Sequence, residues 1–206
     1  PAYDVCISQD WDENDEYCII VSGKVRESSM FGENMVLKRT IKTYLGSDSF
    51  AIHDEVVNEG FTKTPFMILY HMNFGYPLLS EDAKLTTNCE NLRPRDDAAK
   101  PGVNDTYEFS APIADYAEQV FYRDSVKQSY AELKNDKLGI ACRIEFDGEQ
   151  LPYLVEWKQV GKKEYVVGLE PGTNPPDGRD KIRNRGELIE LEPYEKREFD
   201  LKISLK

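Results

Sequence analysis

The sequence predicts an all-β protein, a large antiparallel β-sandwich. Segment after segment has the length of a strand and is rich in β-branched or aromatic residues. Turn signals separate these segments at a spacing of roughly 8–12 residues, which is typical of sandwiches. Only residues 179–186 favour a short helix. We therefore expect about ten or more strands and at most that one helix.

The first part of the chain has the pattern of a meander. Predicted strands cover residues 17–27, 34–45 and 50–58, and short polar turns such as residues 46–49 separate them. Residues 34–45 place apolar side chains at alternate positions, as a strand does when one of its faces is buried. Successive strands joined by short loops predict antiparallel neighbours. The next apolar run, residues 64–70, predicts a buried strand that ends before a Gly-Tyr-Pro turn.

Residues 80–116 break this pattern and predict a long irregular connection, which in a compact domain is usually functional or disordered. Strands are then predicted again, over residues 118–122, 129–133, 138–146, 151–160, 164–170 and 198–205. No repeat or linker interrupts the chain, so we predict a single domain over residues 1–206. The sequence starts at Pro1 and enters a strand-like segment at once. We expect it to be the larger, C-terminal part of a longer protein.

The charge balance excludes two classes of partner. The chain has 38 acidic and 26 basic residues and a net charge of −12. Nucleic acids and anionic membranes both attract a basic surface, so we predict neither as a partner. The sequence has no apolar run of the roughly 18–20 residues that a membrane-spanning helix needs.

The four cysteines predict neither a metal site nor a disulfide framework. They form no CxxC pair and have no metal-ligand spacing with either histidine. Cys18 and Cys142 lie in apolar strand patterns, where a free thiol behaves as a small buried hydrophobic group. We predict that both are buried and reduced, which favours a cytoplasmic protein.

His71 and Asn73 follow the apolar run of residues 64–70. Two residues apart in an extended strand, they point to the same face. A satisfied core pair and a functional site both fit this arrangement, and the core pair is the commoner of the two. The other histidine, His53, lies on a half-polar strand and is predicted to be a sheet-face residue.

Glu170 ends a second apolar strand and is followed at once by the loop PGTNPPDG. A carboxyl group at the exit of a buried strand is partly desolvated, which raises its pKa and suits a general base near neutral pH. An edge glutamate capped by the amides of the loop is the alternative interpretation.

Taken together, LYHMNFGYP and LEPGTNPPDG resemble two segments of the aldose 1-epimerase (galactose mutarotase-like) superfamily. In the second segment Glu170, Pro176 and Asp177 match the pattern. A weaker match is EQVF, in which Glu118 stands where the family has an acidic residue that binds a sugar hydroxyl. Here Glu replaces Asp and the next residue, Gln119, replaces His. With LPYLVEWKQVG, the chain is most similar to an uncharacterised branch, from about residue 4 to residue 205.

The resemblance implies a β-supersandwich with a sugar in a cleft on one sheet, and interconversion of sugar anomers. His71 would be the acid that protonates the ring oxygen, and Glu170 the base that takes the O1 proton. The chemistry requires no metal and no cofactor. We expect the two side chains to face one cleft with functional atoms on the order of 5–8 Å apart. Relatives carry a further histidine and arginine in an N-terminal section that has no counterpart here, so part of the site is expected to be missing.

The resemblance also implies substrate-binding residues. Asn73 and Glu118 would orient hydroxyl groups, and Asp177 belongs to the matched segment. Trp157 is a candidate platform for a sugar face, although a core tryptophan fits its strand equally well. Arg93 and Arg95 are candidates for binding a carboxylate or phosphate, and salt bridges with Asp96 and Asp97 are the favoured alternative.

Two other functions remain open at this stage. A carbohydrate-binding module could keep the cleft without catalysing a reaction. A mutarotase acting on a phosphorylated sugar could use Arg93, Arg95 or the basic residues of 179–185. The sequence does not identify the sugar, the anomer or the oligomeric state.

Overall fold

The computed structural model describes all 206 residues and divides into two compact units. The first unit contains residues 1–67 and 179–204, and the second contains residues 68–178 and 205–206. Fifteen strands, one six-residue α-helix and one six-residue 3₁₀ helix make up the regular structure, which confirms the all-β prediction. The prediction of a single domain stays a prediction. No helix is long and apolar enough to cross a membrane.

In chain order the strands are β1 (Tyr3–Trp11), β2 (Tyr17–Ser28), β3 (Asn34–Tyr44), β4 (Ser49–Asn58), β5 (Thr64–Phe66), β6 (Met72–Gly75), β7 (Ala83–Thr87), β8 (Glu90–Pro94), β9 (Gln119–Asp124), β10 (Gln128–Asn135), β11 (Ile140–Asp147), β12 (Tyr153–Val160), β13 (Tyr165–Gly172), β14 (Ile189–Leu191) and β15 (Lys196–Leu205). The α-helix, α1, covers Arg179–Asn184, and the 3₁₀ helix covers Lys100–Asp105.

The first unit contains the predicted meander. Strands β1 to β4 pair antiparallel in sequence order, and β15 adds to β4. Val36 on β3, Val56 on β4 and Phe199 on β15 are buried, although Val36 lies on the phase opposite the apolar face predicted for residues 34–45. The short strands β5 and β14 pair with each other in the same unit, and the ring of Phe66 on β5 contacts that of Phe199 at a centroid distance of 5.8 Å.

The second unit contains two antiparallel sets of strands. One has the order β6-β13-β12-β9-β8, and in the other β10 lies between β7 and β11. Within the five-stranded set only β12 and β13 form a hairpin with a short turn, whereas β9 pairs with β12 across the intervening β10 and β11, and β6 pairs with β13 from far along the sequence. This long-range pairing brings the two segments singled out in the sequence side by side.

Three predictions of secondary structure need correction. The strand expected over residues 64–70 is replaced by β5 and β6, because Phe66 pairs with Ile189 whereas Leu69 forms only an isolated bridge to Gly172. Residues 80–116 are not wholly irregular, since β7, β8 and the 3₁₀ helix lie there. Strand β14 was not predicted, because it is only three residues long.

The prediction that Cys18 and Cys142 are buried and reduced is confirmed. All four are free, and Cys18 and Cys142 are buried on their strands. Burial also raises the pKa of Cys142, so its thiol stays protonated and unreactive at neutral pH.

A buried charged pair lies in the second unit, on one face of the five-stranded set. Arg123 on β9 donates from Nη1 to Oε2 of Glu156 on β12 over 2.8 Å, and both side chains are fully buried. Lys158 lies two residues further along β12 and donates to the backbone oxygens of Asp105 and Glu108. Since successive strand residues alternate between faces, these groups point away from Tyr122, Val155 and Trp157, which form the other face.

We predict that replacing Glu156 by Leu alone destabilises the protein by about 3–5 kcal/mol, because the guanidinium of Arg123 is then left buried without its partner. The double variant Arg123→Met/Glu156→Leu should recover most of that loss, since two apolar residues of similar size replace the pair. Urea unfolding at neutral pH measures both free energies. A double variant as unstable as the single one would contradict this account.

Candidate functional site

The candidate site lies on the face of the five-stranded set opposite the buried charged pair. Met72 on β6 pairs with Leu169 on β13, and Leu69 forms a bridge to Gly172 in the same register. Between these pairs the register places His71 opposite Glu170. Residues opposite each other on neighbouring strands project to the same face, so the two segments predicted from the sequence meet there.

A second row of residues lies beside this pair. Gly168 on β13 is opposite Asn73 on one side and opposite Trp157 of β12 on the other. Since positions i and i+2 of a strand share a face, this row and the row of His71 and Glu170 form one surface. The face-sharing of His71 and Asn73 that the sequence predicts is therefore present.

His71 and Glu170 are in direct contact. Nε2 of His71 lies 2.9 Å from Oε1 of Glu170, while the side chains are 47% and 3% exposed respectively. Oε1 is buried and receives no aligned hydrogen bond, so the contact is a close approach of two ionisable groups without an N–H aimed at the oxygen. The expected separation of roughly 5–8 Å is wrong, because the two residues are cross-strand neighbours.

Burial sets the ionisation of Glu170. It raises the pKa of this carboxyl group from its ordinary 4.5 to about 7. The direction agrees with the sequence analysis, which placed the residue at the exit of a buried strand. A group with this pKa is present in both protonation states near neutral pH and can accept or donate a proton there.

Trp157 connects the pair to a second carboxylate. Its ring meets the His71 ring edge-on, with centroids 5.6 Å apart. Its Nε1 donates to Oε2 of Glu118 over 2.8 Å, and the other oxygen of Glu118 accepts from Arg95 at 3.0 Å. The hydrogen bond from Trp157, with that from Arg95, lowers the pKa of Glu118. Glu118 therefore stays ionised and holds the indole in place, a role that the sequence analysis did not assign to it.

The remaining predicted site residues have the following surroundings. Asp177 accepts a hydrogen bond from the hydroxyl of Tyr122 at 3.0 Å, which ties the loop after β13 to β9. Asn73 is exposed on β6. Arg93 forms an ion pair with Asp124 at 2.7 Å, so of the two interpretations offered for it the structure favours the salt bridge, with a different aspartate from those expected.

The sequence analysis missed one residue of this surface, Gly168, and one contact of another, Arg95. For Arg95 the expected salt bridge with Asp96 is present at 2.8 Å, but its second ion pair, with Glu118 at 3.0 Å, was not predicted. Gly168 was not singled out, although a glycine inside a strand often marks a close approach of other atoms. That signal, two residues before Glu170, could have identified it.

Metal-binding clusters and cavities elsewhere in the structure would be other candidate sites. No group of three or more His, Cys, Asp or Glu side chains is arranged to hold a metal ion. Two cavities of about 300 and 390 Å³ border the loop before β9 and the end of β12, and neither is lined by His71 or Glu170.

Comparison with known proteins identifies the fold. A family model described as a domain of unknown function, DUF4432, matches residues 1–205. A Klebsiella pneumoniae protein provisionally named an aldose 1-epimerase superimposes with a TM-score of 0.91 and 29% identity over 98% of this chain. Galactose mutarotase-like proteins from Clostridium acetobutylicum and Lactobacillus casei give TM-scores of 0.65 and 0.66 at 17% and 20% identity, over 98% and 99% of this chain. No curated protein matches the sequence.

These matches confirm the superfamily and the galactose mutarotase-like fold predicted from the two motifs. The chain spans about half of the Klebsiella protein, 53% of its length. It covers 66% of the Clostridium protein and 74% of the Lactobacillus protein.

We predict a pH-dependent difference in stability between the wild type and Glu170→Gln. The folded-state pKa of about 7 lies above the ordinary 4.5, so the contribution of Glu170 to stability is fully present below pH 4.5 and is lost as the pH rises through 7. Relative to the Gln variant, the wild type should lose up to about 3 kcal/mol over that range. Urea unfolding at several pH values tests this, and a constant difference would contradict it.

Proposed function

The chain belongs to the DUF4432 family, and we propose that it acts as an aldose 1-epimerase, interconverting the anomers of a sugar by acid/base catalysis. One observation carries the proposal. On one face of the five-stranded set, in a chain with the galactose mutarotase-like fold, a buried carboxyl group is in contact with a half-exposed imidazole. The proposed substrate is an aldose in its ring form.

The reaction needs one base and one acid close together. A base removes the O1 proton of the cyclic sugar as the bond between C1 and the ring oxygen breaks, and an acid protonates the ring oxygen. The open-chain aldehyde then rotates about C1–C2, and closure by the reverse proton transfers forms the other anomer. Both oxygens are bonded to C1, so a base and an acid in contact with each other reach both. The short distance between His71 and Glu170 therefore suits this reaction better than the wider spacing expected from the sequence.

In this proposal Glu170 accepts the O1 proton and His71 donates to the ring oxygen. A base with a pKa of about 7 matches an operating pH near neutrality, where it is partly ionised and its conjugate acid returns the proton easily. The half-exposed His71 ring lies on the solvent side of the pair, where a sugar would arrive. Only protons are transferred, so the proposed chemistry requires neither a metal nor a redox cofactor.

The surrounding residues give the sugar its orientation in this proposal. Trp157 offers an aromatic surface next to His71, and a sugar ring packs its C–H face on such a surface. The exposed amide of Asn73 and the carboxylates of Glu118 and Asp177 would bind hydroxyl groups. Glu118 accepts hydrogen bonds from Trp157 and Arg95, and Asp177 accepts one from Tyr122. A carboxylate has about four lone-pair sites, so such contacts are compatible with binding a sugar hydroxyl.

The contacts favour an uncharged sugar over a phosphorylated one. Arg93 is paired with Asp124, and Arg95 is paired with both Asp96 and Glu118. A phosphate would have to displace these carboxylates from the guanidinium groups before it could bind. No such competition arises for a neutral aldose.

We predict that Glu170→Gln and His71→Asn each lower the rate of anomer exchange ~10²–10⁴-fold, because each removes one proton-transfer group while keeping a similar shape. The control is His53→Asn. His53 is paired with Asp200 at 2.7 Å in the first unit and should leave the rate unchanged. Exchange between anomers of a panel of aldoses, followed by NMR on the full-length protein, measures these rates.

Wild-type exchange no faster than in buffer, together with measurable sugar binding, would overturn the enzymatic proposal and support a carbohydrate-binding module. A loss of activity in the His53 control equal to that in His71→Asn would also count against the assignment of these roles.

A further inference from the structure

Gly168 occupies the centre of the proposed site. It lies on β13, two residues before Glu170, with Asn73 and Trp157 as its cross-strand neighbours. Its backbone is not in the left-handed region that favours glycine, so conformational freedom does not explain its presence. The reason has to be the absence of a side chain.

The carboxyl group of Glu170 fills the space that a side chain at position 168 would take. A Cβ atom built on Gly168 would lie 2.3 Å from Oε1 of Glu170 and 3.3 Å from Cε1 of His71. The first distance is far shorter than any normal contact between carbon and oxygen. Glu170 therefore bends back along its own strand and lies over Gly168, with His71 beside it.

The position of Oε1 of Glu170 depends mainly on steric fit, because no hydrogen bond fixes this oxygen. Oε1 is buried and has no aligned donor. Its position depends on the space above Gly168 and on the contact with Nε2 of His71, 2.9 Å away. A side chain at position 168 would displace the carboxyl group of Glu170 from this position, and the displacement would separate it from His71.

We propose that Gly168 is a positioning residue, whose missing side chain holds the carboxyl group of Glu170 in its buried contact with His71. The inference rests on the proposed function, because the contact matters for catalysis only if the pair transfers protons. It goes beyond that function by assigning the geometry of the pair to a residue that itself has no reactive group.

The test compares Gly168→Ala with Gly75→Ala in the full chain. Gly75 is also a strand glycine of the second unit, but a Cβ atom there would meet only the backbone oxygen of Tyr165 at 3.8 Å, an ordinary contact. Carboxyl ¹³C NMR, with Glu170→Gln to assign the signal, gives the pKa of Glu170 in each variant. Gly168→Ala should lower it from about 7 towards 4.5, because the displaced group becomes solvated, and Gly75→Ala should leave it unchanged.

Kinetics give a second readout. In Gly168→Ala, kcat should fall roughly 10- to 100-fold with a smaller change in KM, because the base is misplaced while the hydroxyl-binding groups remain. The rising limb of the pH–rate profile should move to lower pH together with the pKa of Glu170. A loss of stability alone would not move this limb.

A double-mutant cycle of Gly168→Ala and Glu170→Ala tests the steric conflict between the two positions without any measurement of enzymatic activity. If the clash with Glu170 is the cause, Gly168→Ala should change the unfolding midpoint in the wild-type background and have little effect in the Glu170→Ala background. An equal effect in both backgrounds, or an unchanged pKa of Glu170 in folded Gly168→Ala, would overturn the inference. Absence of anomer exchange in the wild type would overturn the proposed function but not this test, since neither the titration nor the unfolding cycle requires turnover.

Discussion

The contact between Glu170 and His71 depends on one constraint, the register of β6 against β13. Opposite positions share a face, and a slip of one residue would turn one of the two side chains to the other face. Their segments lie about a hundred residues apart in sequence, so nothing local brings them together. The pairing of β6 with β13 is therefore the structural condition for the acid/base pair, for the row of Asn73, Gly168 and Trp157 beside it, and for any chemistry on this surface.

Backbone hydrogen bonds continue this register in the residues that precede β6. The amide of Tyr70 donates to the oxygen of Pro171 over 2.9 Å, and the amide of Thr173 donates to Ile68 over 3.0 Å. The hydroxyl of Thr173 also accepts from the amide of Ile68 at 3.0 Å. These bonds join residues 68–70 to residues 171–173, on one side of the pair of His71 and Glu170. The β6–β13 ladder lies on the other side of the pair, which is therefore held from both sides. The loop PGTNPPDG thus has a structural role next to the one that its motif suggests.

Much of the fold followed from the sequence because alternation of apolar residues is a local signal. The meander, the buried cysteines and the short helix were predicted from it, and two short motifs were enough to identify the superfamily. What was missed depends on pairing between distant segments. Residues 64–70 are apolar enough for a strand, but Phe66 and Leu69 have different partners, and a sequence pattern does not reveal partners. The separation of His71 and Glu170 was wrong for the same reason, since it is set by cross-strand register, and the link from Arg95 through Glu118 to Trp157 needed three-dimensional neighbours.

The central claim is that Glu170 and His71 exchange protons with a sugar as a base and an acid in contact. The most direct test is the pH dependence of kcat/KM for anomer exchange by the wild-type protein. The account predicts a bell-shaped profile whose rising limb has an apparent pKa of about 7, from ionisation of Glu170, and whose falling limb reports loss of the acidic proton. A protein-dependent rate with no rising limb near pH 7, or no protein-dependent rate at any pH, would contradict it.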